Sequence, residues 1–337
     1  MMTSREVVRR TLAFDYPDRL ARDFPERYGS DFAWCGVDPS PDARPRSGVD
    51  EWGAVWYNIG VSNLGEVKEF PLKDWADFDR LPIPDIHDPR RYTALEGARE
   101  RAGDKFLLGG GISIYERVHF IRGLENTWAD IHEAPDQLCH LLDILTDMNL
   151  VLIDRYAAAG CDGYNFCDDW GLQTRLMIAP ASWRSLWKPR YARLCAAAHA
   201  AGLATFLHSC GHIVAILDDL IEIGLDVIQM DQQENMGLDL LGQRFAGRIT
   251  FWNPVDIQKT MAHGTLDEIR AYARRMALTL GRWKHGRFVG GFLPKWYPDP
   301  AGAGHRQEAI DAMCEAFLEI PIQSHAKPQS TVIPMSP

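Results

Sequence analysis

The sequence predicts a (β/α)8 barrel, an α/β fold in which parallel strands alternate with helices. From about residue 105, short apolar, β-branched and aromatic runs alternate with longer amphipathic stretches, and parallel strands need crossover helices between them. Polar residues collect directly after several of these runs, as they do at the carboxyl-terminal face of barrel enzymes. No Gly-x-Gly-x-x-Gly or Gly-Lys-Ser/Thr motif follows any run, which removes the usual support for an open nucleotide-binding sheet.

The individual elements follow from periodicity and capping residues. A short helix is predicted over 5–13, with Thr3 or Ser4 as its cap. The predicted strands are 105–109, 163–167, 204–208, 226–230, 248–252 and 287–292. The predicted helices are 135–159, 180–201, 214–223, 266–280 and 306–318, several of which end at a glycine suited to a left-handed cap.

These elements predict one barrel domain over residues 1–320. Within it, residues 1–100 contain many proline turns and are expected to decorate the barrel, while 105–318 form the barrel core. Residues 321–337 are rich in Pro, Ser and Thr without periodicity, and we predict a disordered tail there.

Composition limits the cellular setting and the partners. The chain has 337 residues, 46% hydrophobic and 24% charged, with a formal charge of −10 and no basic block, so nucleic acid and anionic membranes are poor partner choices. No segment approaches the roughly 18 uninterrupted apolar residues of a membrane span, and the first residues lack the apolar core of a signal peptide. Seven cysteines without a Cys-x-x-Cys pair indicate a reduced, cytoplasmic protein.

The most informative motif is the pair His208 and Cys210, at the end of an apolar run. Alternate residues of a strand share a face, so both side chains are expected to point the same way. Imidazole nitrogen and thiolate sulfur are ligands that Zn²⁺ prefers, which makes the pair a candidate metal site. The alternative is that Cys210 is a small buried side chain, the commonest role of a free cysteine.

Two adjacent acids follow the strand at 163–167. Asp168 and Asp169 are candidate catalytic residues, but neighbouring residues of a strand face opposite ways, so only one should enter the barrel. The sequence leaves open which of the two does so. The other acid would then cap the following turn or helix.

Other polar residues after strands are expected to shape a substrate pocket: Glu116, Arg117, Asp231, Asp256, Gln258, Lys295 and Tyr297. Glu116 and Arg117 also fit an exposed helix start, and Asp256 also fits a helix cap. The remaining cysteines Cys161, Cys167, Cys195 and Cys314 fit a core better than a catalytic site, and Trp170, Trp183 and Trp187 fit packing positions.

Several motifs in order resemble the uroporphyrinogen decarboxylase superfamily, and within it the corrinoid methyltransferase-like branch. They are Thr3-Ser4-Arg5-Glu6 with Pro17-Asp18-Arg19, Asp50-Glu51-Trp52-Gly53, Asp168-Asp169-Trp170-Gly171, His208-Ser209-Cys210-Gly211-His212 and Val255-Asp256-Ile257-Gln258. The resemblance spans residues 3 to about 318 and implies a (β/α)8 barrel with its active site at the mouth.

Two departures from the superfamily's patterns matter for function. Residues 15–60 contain no Met-Arg-Gln-Ala-Gly-Arg motif, through which true uroporphyrinogen decarboxylases bind porphyrinogen carboxylates. The resemblance to methylcobalamin:thiol methyltransferases implies zinc on His208 and Cys210, but their later cysteine is absent from 290–297, and Cys314 lies inside the next helix. Asp168 or Asp169 would then complete the site, unless this branch has lost the zinc.

The resemblance therefore implies methyl transfer between a corrinoid and a small acceptor or donor, assisted by zinc. The corrinoid would be free or carried by a separate corrinoid protein, and a homodimer is the oligomer that we consider. The first alternative is a decarboxylase-like lyase that acts on a non-porphyrin substrate and uses Asp168 or Asp169 without a metal. The second is a non-catalytic barrel that binds a small ligand or a corrinoid protein.

Overall fold

The computed structural model describes residues 1–58, 60 and 65–322. Its centre is a curled parallel sheet of seven strands, whose order β1-β5-β6-β7-β8-β9-β12 follows the chain. A second sheet of β2, β3 and β4 and a hairpin of β10 and β11 lie outside it. The strands are β1 (Phe32–Cys35), β2 (Gly48–Val49), β3 (Val55–Asn58), β4 (Gly65–Glu69), β5 (Phe106–Gly110), β6 (Gly163–Cys167), β7 (Ala204–His208), β8 (Val227–Gln229), β9 (Thr250–Asn253), β10 (Arg282–Lys284), β11 (Arg287–Gly290) and β12 (Phe292–Pro294).

Helices connect the strands and cover the outside of the sheet. They are α1 (Ser4–Leu12), α2 (Ala98–Ala102), α3 (Tyr115–Arg122), α4 (Leu124–Glu133), α5 (Pro135–Ala158), α6 (Pro180–Leu186), α7 (Lys188–Ala200), α8 (Val214–Glu222), α9 (Leu238–Phe245), α10 (Thr260–His263), α11 (Leu266–Leu280) and α12 (Gln307–Leu318). Short 3-10 helices span Trp75–Arg80, Pro89–Leu95 and Gln233–Asn235. None of the helices in the described ranges has both the length and the apolar character that crossing a membrane requires.

The sheet curls back on itself through a short segment around Asp23. The Asp23 amide donates to the Pro294 carbonyl at 3.0 Å, and the Trp296 amide donates to the Asp23 carbonyl at 2.9 Å. Asp23 also forms an antiparallel bridge to Ser30, just before β1. The result is the predicted (β/α)8-barrel-like α/β fold, with seven regular strands and one bridge at the closing position.

The barrel interior is filled by apolar side chains and closed from below by α1. Val7 and Val8 of this helix join Phe106, Phe206, Trp252 and other inward-facing residues in one buried cluster. The helix is fixed by Asp162, whose fully buried carboxylate pairs with Arg5, Arg9 and Arg99 at 2.6–2.8 Å. Because this cluster fills the lower part of the described barrel, the carboxyl-terminal mouth is the place where a ligand site is expected.

Most predicted elements are confirmed, and three predictions are wrong in detail. The barrel core begins earlier than 105, since β1 lies inside the predicted decoration. The predicted strand 287–292 is divided: β11 pairs with β10, and only β12 enters the barrel. Gly290 and Gly291 cause this break, because both have positive φ and a Cβ there would meet Thr11 or Phe14 within 2.5 Å.

The predicted helix 180–201 consists of α6 and α7, separated at Trp187. Pro189 near the start of α7 explains the break, because proline has no amide hydrogen to continue the earlier helix. Of the predicted tail, only Pro321 and Ile322 are described, and the Phe288 amide donates to the Ile322 carbonyl at 3.0 Å. Residues 323–337 lie outside the described residues.

Candidate metal centre at the barrel mouth

The two motifs after β6 and β7 lie side by side and are joined through their backbones. The Asp168 amide donates to the His208 carbonyl, and the Gly171 amide donates to the Cys210 carbonyl, both at 3.0 Å. The Asp169 carboxylate accepts from the Cys210 amide at 2.8 Å. These bonds continue the β6–β7 pairing beyond the strands, so the two loops form one rigid unit at the mouth.

Glycine is required where the loops cross. A Cβ on Gly211, whose φ is +76°, would lie 2.1 Å from the Gly171 carbonyl oxygen. A Cβ on Gly171 would lie 2.2 Å from the His212 amide nitrogen. Only two glycines permit this approach, and the approach brings the side chains of Asp169, His208 and Cys210 together.

The orientation of His208 is set by Gln229 on the neighbouring strand. Nδ1 of His208 hydrogen-bonds to Oε1 of Gln229, and the Gln229 amide nitrogen donates to Asp231 at 2.6 Å. Because the Gln229 oxygen can only accept, Nδ1 carries the proton and donates it. Nε2 then faces Cys210 Sγ at 3.4 Å and Asp169 Oδ1 at 3.3 Å.

The donor atoms around Nε2 suit a metal ion. Two overlapping groups have all their ligand atoms within 4.8 Å of one another: Cys167, Asp169 and His208, and His208, Cys210 and Asp231. Nitrogen, sulfur and carboxylate oxygen together form a donor set typical of zinc. The second nitrogen of the histidine is held by a hydrogen bond, as metal-ligating histidines usually are. The residues present therefore fit a zinc ion.

Cys167 corrects the sequence analysis, which placed this residue in the core. It shares the inward face of β6 because it pairs in register with His208 of β7. Its thiol donates to Glu116 at 3.5 Å and lies within ligand distance of the cluster. The alternation along β6 could have indicated this, since Tyr164 and Phe166 belong to the outer core. Cys161, Cys195 and Cys314 are buried away from the cluster as predicted.

The electrostatics of the cluster follow from the burial of opposite charges close together. Burial lowers the pKa of His208, but Cys167, Cys210 and Asp169 outweigh it and raise this pKa well above its usual value. Burial raises the pKa of Asp169, yet the contacts with His208 and the Cys210 amide lower it overall. Burial raises the pKa of the Cys210 thiol. Asp169 therefore carries a negative charge beside Nε2, where a cation would lie, while the thiol of Cys210 stays protonated until a metal binds.

The two adjacent aspartates have different positions. Asp169 enters the mouth, whereas Asp168 points outward and is fully buried. The Asp168 carboxylate accepts from the amides of Ile114, Tyr115 and Glu116 at 2.8–3.0 Å, and from the Tyr191 hydroxyl. Burial raises the pKa of Asp168 to about 8. Because it caps the start of α3, its predicted roles as catalytic residue and metal ligand are not supported by this position.

Glu116 and Arg117 are also separated. Arg44 binds the Glu116 carboxylate with both terminal nitrogens, at 3.0 and 3.1 Å, beside Cys167. Arg117 is fully buried and pairs with Asp42 and Asp50 at 3.1 and 2.8 Å. Glu116 therefore remains a candidate at the mouth, while Arg117 supports the loop beneath it and cannot contact a substrate directly.

The remaining predicted pocket residues divide in the same way. Asp231 joins the cluster, and Tyr297 lies close enough for Asp231 and Cys210 to add to the burial that raises its pKa. Asp256 accepts from the amides of Lys259 and Thr260 at 2.8 and 3.4 Å, which is the helix-capping alternative. Gln258 is exposed on the surface.

Lys295 and two tryptophans form the wall across the mouth from His208. The Lys295 ammonium lies 5.0 Å from the Trp252 ring centroid, and Trp34 stacks on Trp252 at 6.2 Å. Trp34 is 53% exposed, which is unusual for so large an apolar side chain. Lys295 makes none of the close ion pairs found among the described residues, although its charge lowers the pKa of the buried Asp23 carboxyl against the larger effect of burial, which raises it.

Sequence reasoning missed Trp34 and Asn165. Trp34 lies in β1, a strand that the sequence did not predict. Asn165 shares the inward face of β6 with Cys167, because it pairs in register with the inward-facing Phe206. Among the described residues its side-chain amide has no hydrogen-bond partner, so it can contact a ligand.

The fold and the cluster define a barrel protein with a candidate metal centre at its mouth. The family model of uroporphyrinogen decarboxylase (URO-D) matches residues 58–289, and the chain belongs to this family. It is similar to the uroporphyrinogen decarboxylase of Geobacter sulfurreducens, with 26% identity over 54% of this chain and 55% of that relative. It is also similar to the uroporphyrinogen decarboxylase of Xanthomonas euvesicatoria, with 26% identity over 67% of this chain and 64% of that relative. The chain thus spans less than two thirds of the length of these curated relatives.

Among solved structures, a methyltransferase from Methanosarcina mazei has a similar fold. The two chains superpose with a TM-score of 0.67 over 94% of this chain and 98% of the other, at 18% sequence identity. At that identity the similarity concerns the fold, because unrelated activities share barrels of this kind.

Proposed function

We propose that the protein transfers a methyl group between a corrinoid and a small, non-porphyrin acceptor or donor at the barrel mouth. The observation that supports this most strongly is that His208 is shared by two ligand groups, one with Cys167 and Asp169 and the other with Cys210 and Asp231. A purely structural histidine would not need thiols and acids on three neighbouring strand ends.

His208 and Cys210 would hold a zinc ion, with Cys167, Asp169 or Asp231 as the further ligands. Cys167 offers the thiol that the resemblance to methyltransferases requires and that residues 290–297 lack. Zinc, when bound, would keep a thiol substrate ionised at neutral pH and so reactive toward a methyl group. Gln229 would keep His208 in the tautomer that ligation needs, because it fixes the proton on Nδ1.

The rest of the mouth would select and orient the small substrate. Lys295 and Trp252 offer a cation beside an aromatic surface, Asn165 offers an amide, and Tyr297 offers a hydroxyl near the cluster. Arg44 is neutralised by Glu116, and Lys295, which interacts at longer range with the Asp23 carboxyl, is the further cation that we place at the described mouth. One such cation among several carboxylates disfavours a tetrapyrrole with many negative charges.

A decarboxylase-like lyase is the second candidate, because the curated relatives are uroporphyrinogen decarboxylases. In that case Asp169, whose pKa the His208 contact lowers, would stabilise a cationic intermediate without a metal. A non-porphyrin substrate would still be required, for the reason of charge given above.

The proposal is tested by incubating zinc-loaded protein with methylcobalamin and a panel of thiols while following the methyl–cobalt absorbance. The reverse direction uses cob(I)alamin with candidate methyl donors. Cys210→Ser should abolish the reaction, and Gln258→Ala should leave it unchanged. Decarboxylation of uroporphyrinogen, with no change in the cobalamin spectrum in either direction, would overturn the proposal in favour of a lyase and would also contradict the charge argument against a tetrapyrrole.

A further inference from the structure

A second pair of cysteines lies on the outer face of the barrel, away from the candidate metal centre. The sulfur atoms of Cys35 and Cys161 are 3.2 Å apart, although the residues are separated by 126 positions in the chain. Cys35 ends β1 and faces outward, because its neighbour Trp34 faces the mouth. Cys161 precedes β6. Both are free thiols, and neither belongs to the metal-ligand cluster.

The two thiols differ in access to solvent. Cys35 is half-buried and lines a cavity of about 300 Å³ bounded also by Ala98, Arg101 and Ala102. Cys161 is 7% exposed. A small oxidant can therefore reach Cys35 directly, whereas Cys161 is reached through Cys35. This is the arrangement of a reacting thiol with a resolving thiol behind it.

The charges around the cavity favour a reactive Cys35. Arg101 donates to the carbonyls of Ala94 and Glu96 at 2.7 and 2.5 Å, and within the described residues it forms no ion pair. The hydrogen bond with Cys161, together with Arg101 and Arg99, lowers the pKa of Cys35 despite its burial. A thiol beside cations ionises more readily and so attacks peroxides and disulfides faster.

Cys161 is held firmly in place. Its amide donates to the Tyr156 carbonyl at 3.0 Å, and the next residue is Asp162, which binds three arginines. A disulfide needs its sulfurs about 2.05 Å apart, so the pair must close by only about 1.2 Å from its 3.2 Å separation. The exposed end of β1 is the part that can move.

We propose that Cys35 and Cys161 are a redox-active dithiol that hydrogen peroxide converts into a disulfide. In the first step the Cys35 sulfur attacks one peroxide oxygen, which gives a sulfenic acid and releases one water. In the second step the Cys161 sulfur attacks the Cys35 sulfur, the S–S bond forms, and the hydroxyl leaves as a second water. Peroxide gains the two electrons that the thiols lose. The product links β1 to the loop before β6.

The test is peptide mapping of the full-length protein after treatment with hydrogen peroxide, alkylation of free thiols and digestion without reductant. The protease Asp-N cleaves before aspartate, so it places Cys35 in residues 31–37 and Cys161 in 154–161, apart from Cys167 in 162–167. We expect a linked pair of the first two peptides, which dithiothreitol separates. The link should form at least tenfold faster than oxidation of half-buried Cys139.

Two variants separate a redox pair from simple packing of two thiols. In Cys161→Ser, Cys35 should accumulate as a sulfenic acid that dimedone traps, because the resolving thiol is gone. Cys139→Ser is the matched control and should leave the yield of the 35–161 link unchanged. The proposal is overturned if Cys35 remains alkylatable after peroxide treatment, or if it is oxidised at the same rate as Cys139 without forming the link.

Discussion

At the scale of single residues, the face of the strand decides the role of a side chain. Asp168 and Asp169 are adjacent and chemically alike. Asp168 caps α3 within the outer core, whereas Asp169 enters the mouth. The same alternation brings Cys167 to the cluster beside His208. The sequence indicated that the two aspartates face opposite ways, and the alternation along β6 held the signal for which one is outward, since Asp168 shares a face with Tyr164 and Phe166 of the outer core.

Gln229 provides a test of the metal centre that leaves every ligand atom in place. Gln229→Ala removes the acceptor that orients His208, so zinc affinity should fall roughly 10- to 100-fold. Gln258→Ala is the matched control, since Gln258 is exposed. The zinc affinity of each variant is measured by letting the protein compete with a chromogenic chelator for zinc. Equal affinities in the two variants would show that Gln229 does not position a ligand.

His119 predicts an acid dependence of stability. Its Nε2 atom is buried without a partner, and burial lowers its pKa to about 3, against about 6.5 in the unfolded chain. Between these values only the unfolded chain binds the proton, so the unfolding free energy falls as the pH falls through this window.

Removing this imidazole should make the protein less sensitive to acid. Between pH 7 and pH 5, His119→Phe should lose about 2 kcal/mol less unfolding free energy than the parent, as measured in urea. His132→Phe is the control, because His132 is exposed, and it should follow the parent. An unchanged pH dependence in His119→Phe would contradict the assigned burial.

At the scale of elements, strong periodicity made the central strands and long helices predictable. β6, β7 and α11 match their predicted ranges residue for residue. β1 was missed because it has only four residues between turns and carries the exposed Trp34. The division between β11 and β12 was missed because it depends on contacts of two glycines with Phe14 and Thr11, which are distant in the sequence.

The crossing of the two motif loops can be tested at Gly211. Gly202 and Gly211 have nearly the same φ, +77° and +76°, but a Cβ on Gly202 meets nothing within 4 Å. Gly202→Ala should therefore cost only the backbone strain, about 1 kcal/mol. Gly211→Ala should cost roughly 3 kcal/mol or more and also weaken zinc binding, because the loops must separate. Equal unfolding free energies for Gly202→Ala and Gly211→Ala would contradict the close approach of Gly211 to Gly171.

At the scale of the whole molecule, the barrel separates a stabilising end from a functional end. Asp162 and its three arginines fix α1 at the bottom, while the ligand cluster, Lys295 and Trp34 lie at the mouth. The sequence located the mouth because acids, amides and His208 all follow strands. It could not identify the wall across the mouth, because that wall combines β1, β9 and β12 through long-range contacts.

The stabilising end can be tested with two aspartates that each bind several arginines. Asp162→Asn should lower the unfolding free energy by roughly 1.5–3 kcal/mol, because three arginines and the Leu107 amide lose a fully buried charged acceptor. Asp218 pairs with Arg244 and Arg248 but is 49% exposed. Asp218→Asn should therefore cost at most about 1 kcal/mol. Similar losses in urea denaturation would contradict a special role for Asp162.

The central claim is that the mouth binds a metal ion through His208 and Cys210, and elemental analysis combined with zinc titration tests it most directly. We expect one zinc per chain in the parent and in Cys139→Ser, strongly weakened binding in His208→Ala and Cys210→Ser, and weaker binding in Cys167→Ser. A parent protein that binds no zinc at stoichiometric concentration, or binding that survives both His208→Ala and Cys210→Ser unchanged, would contradict the account.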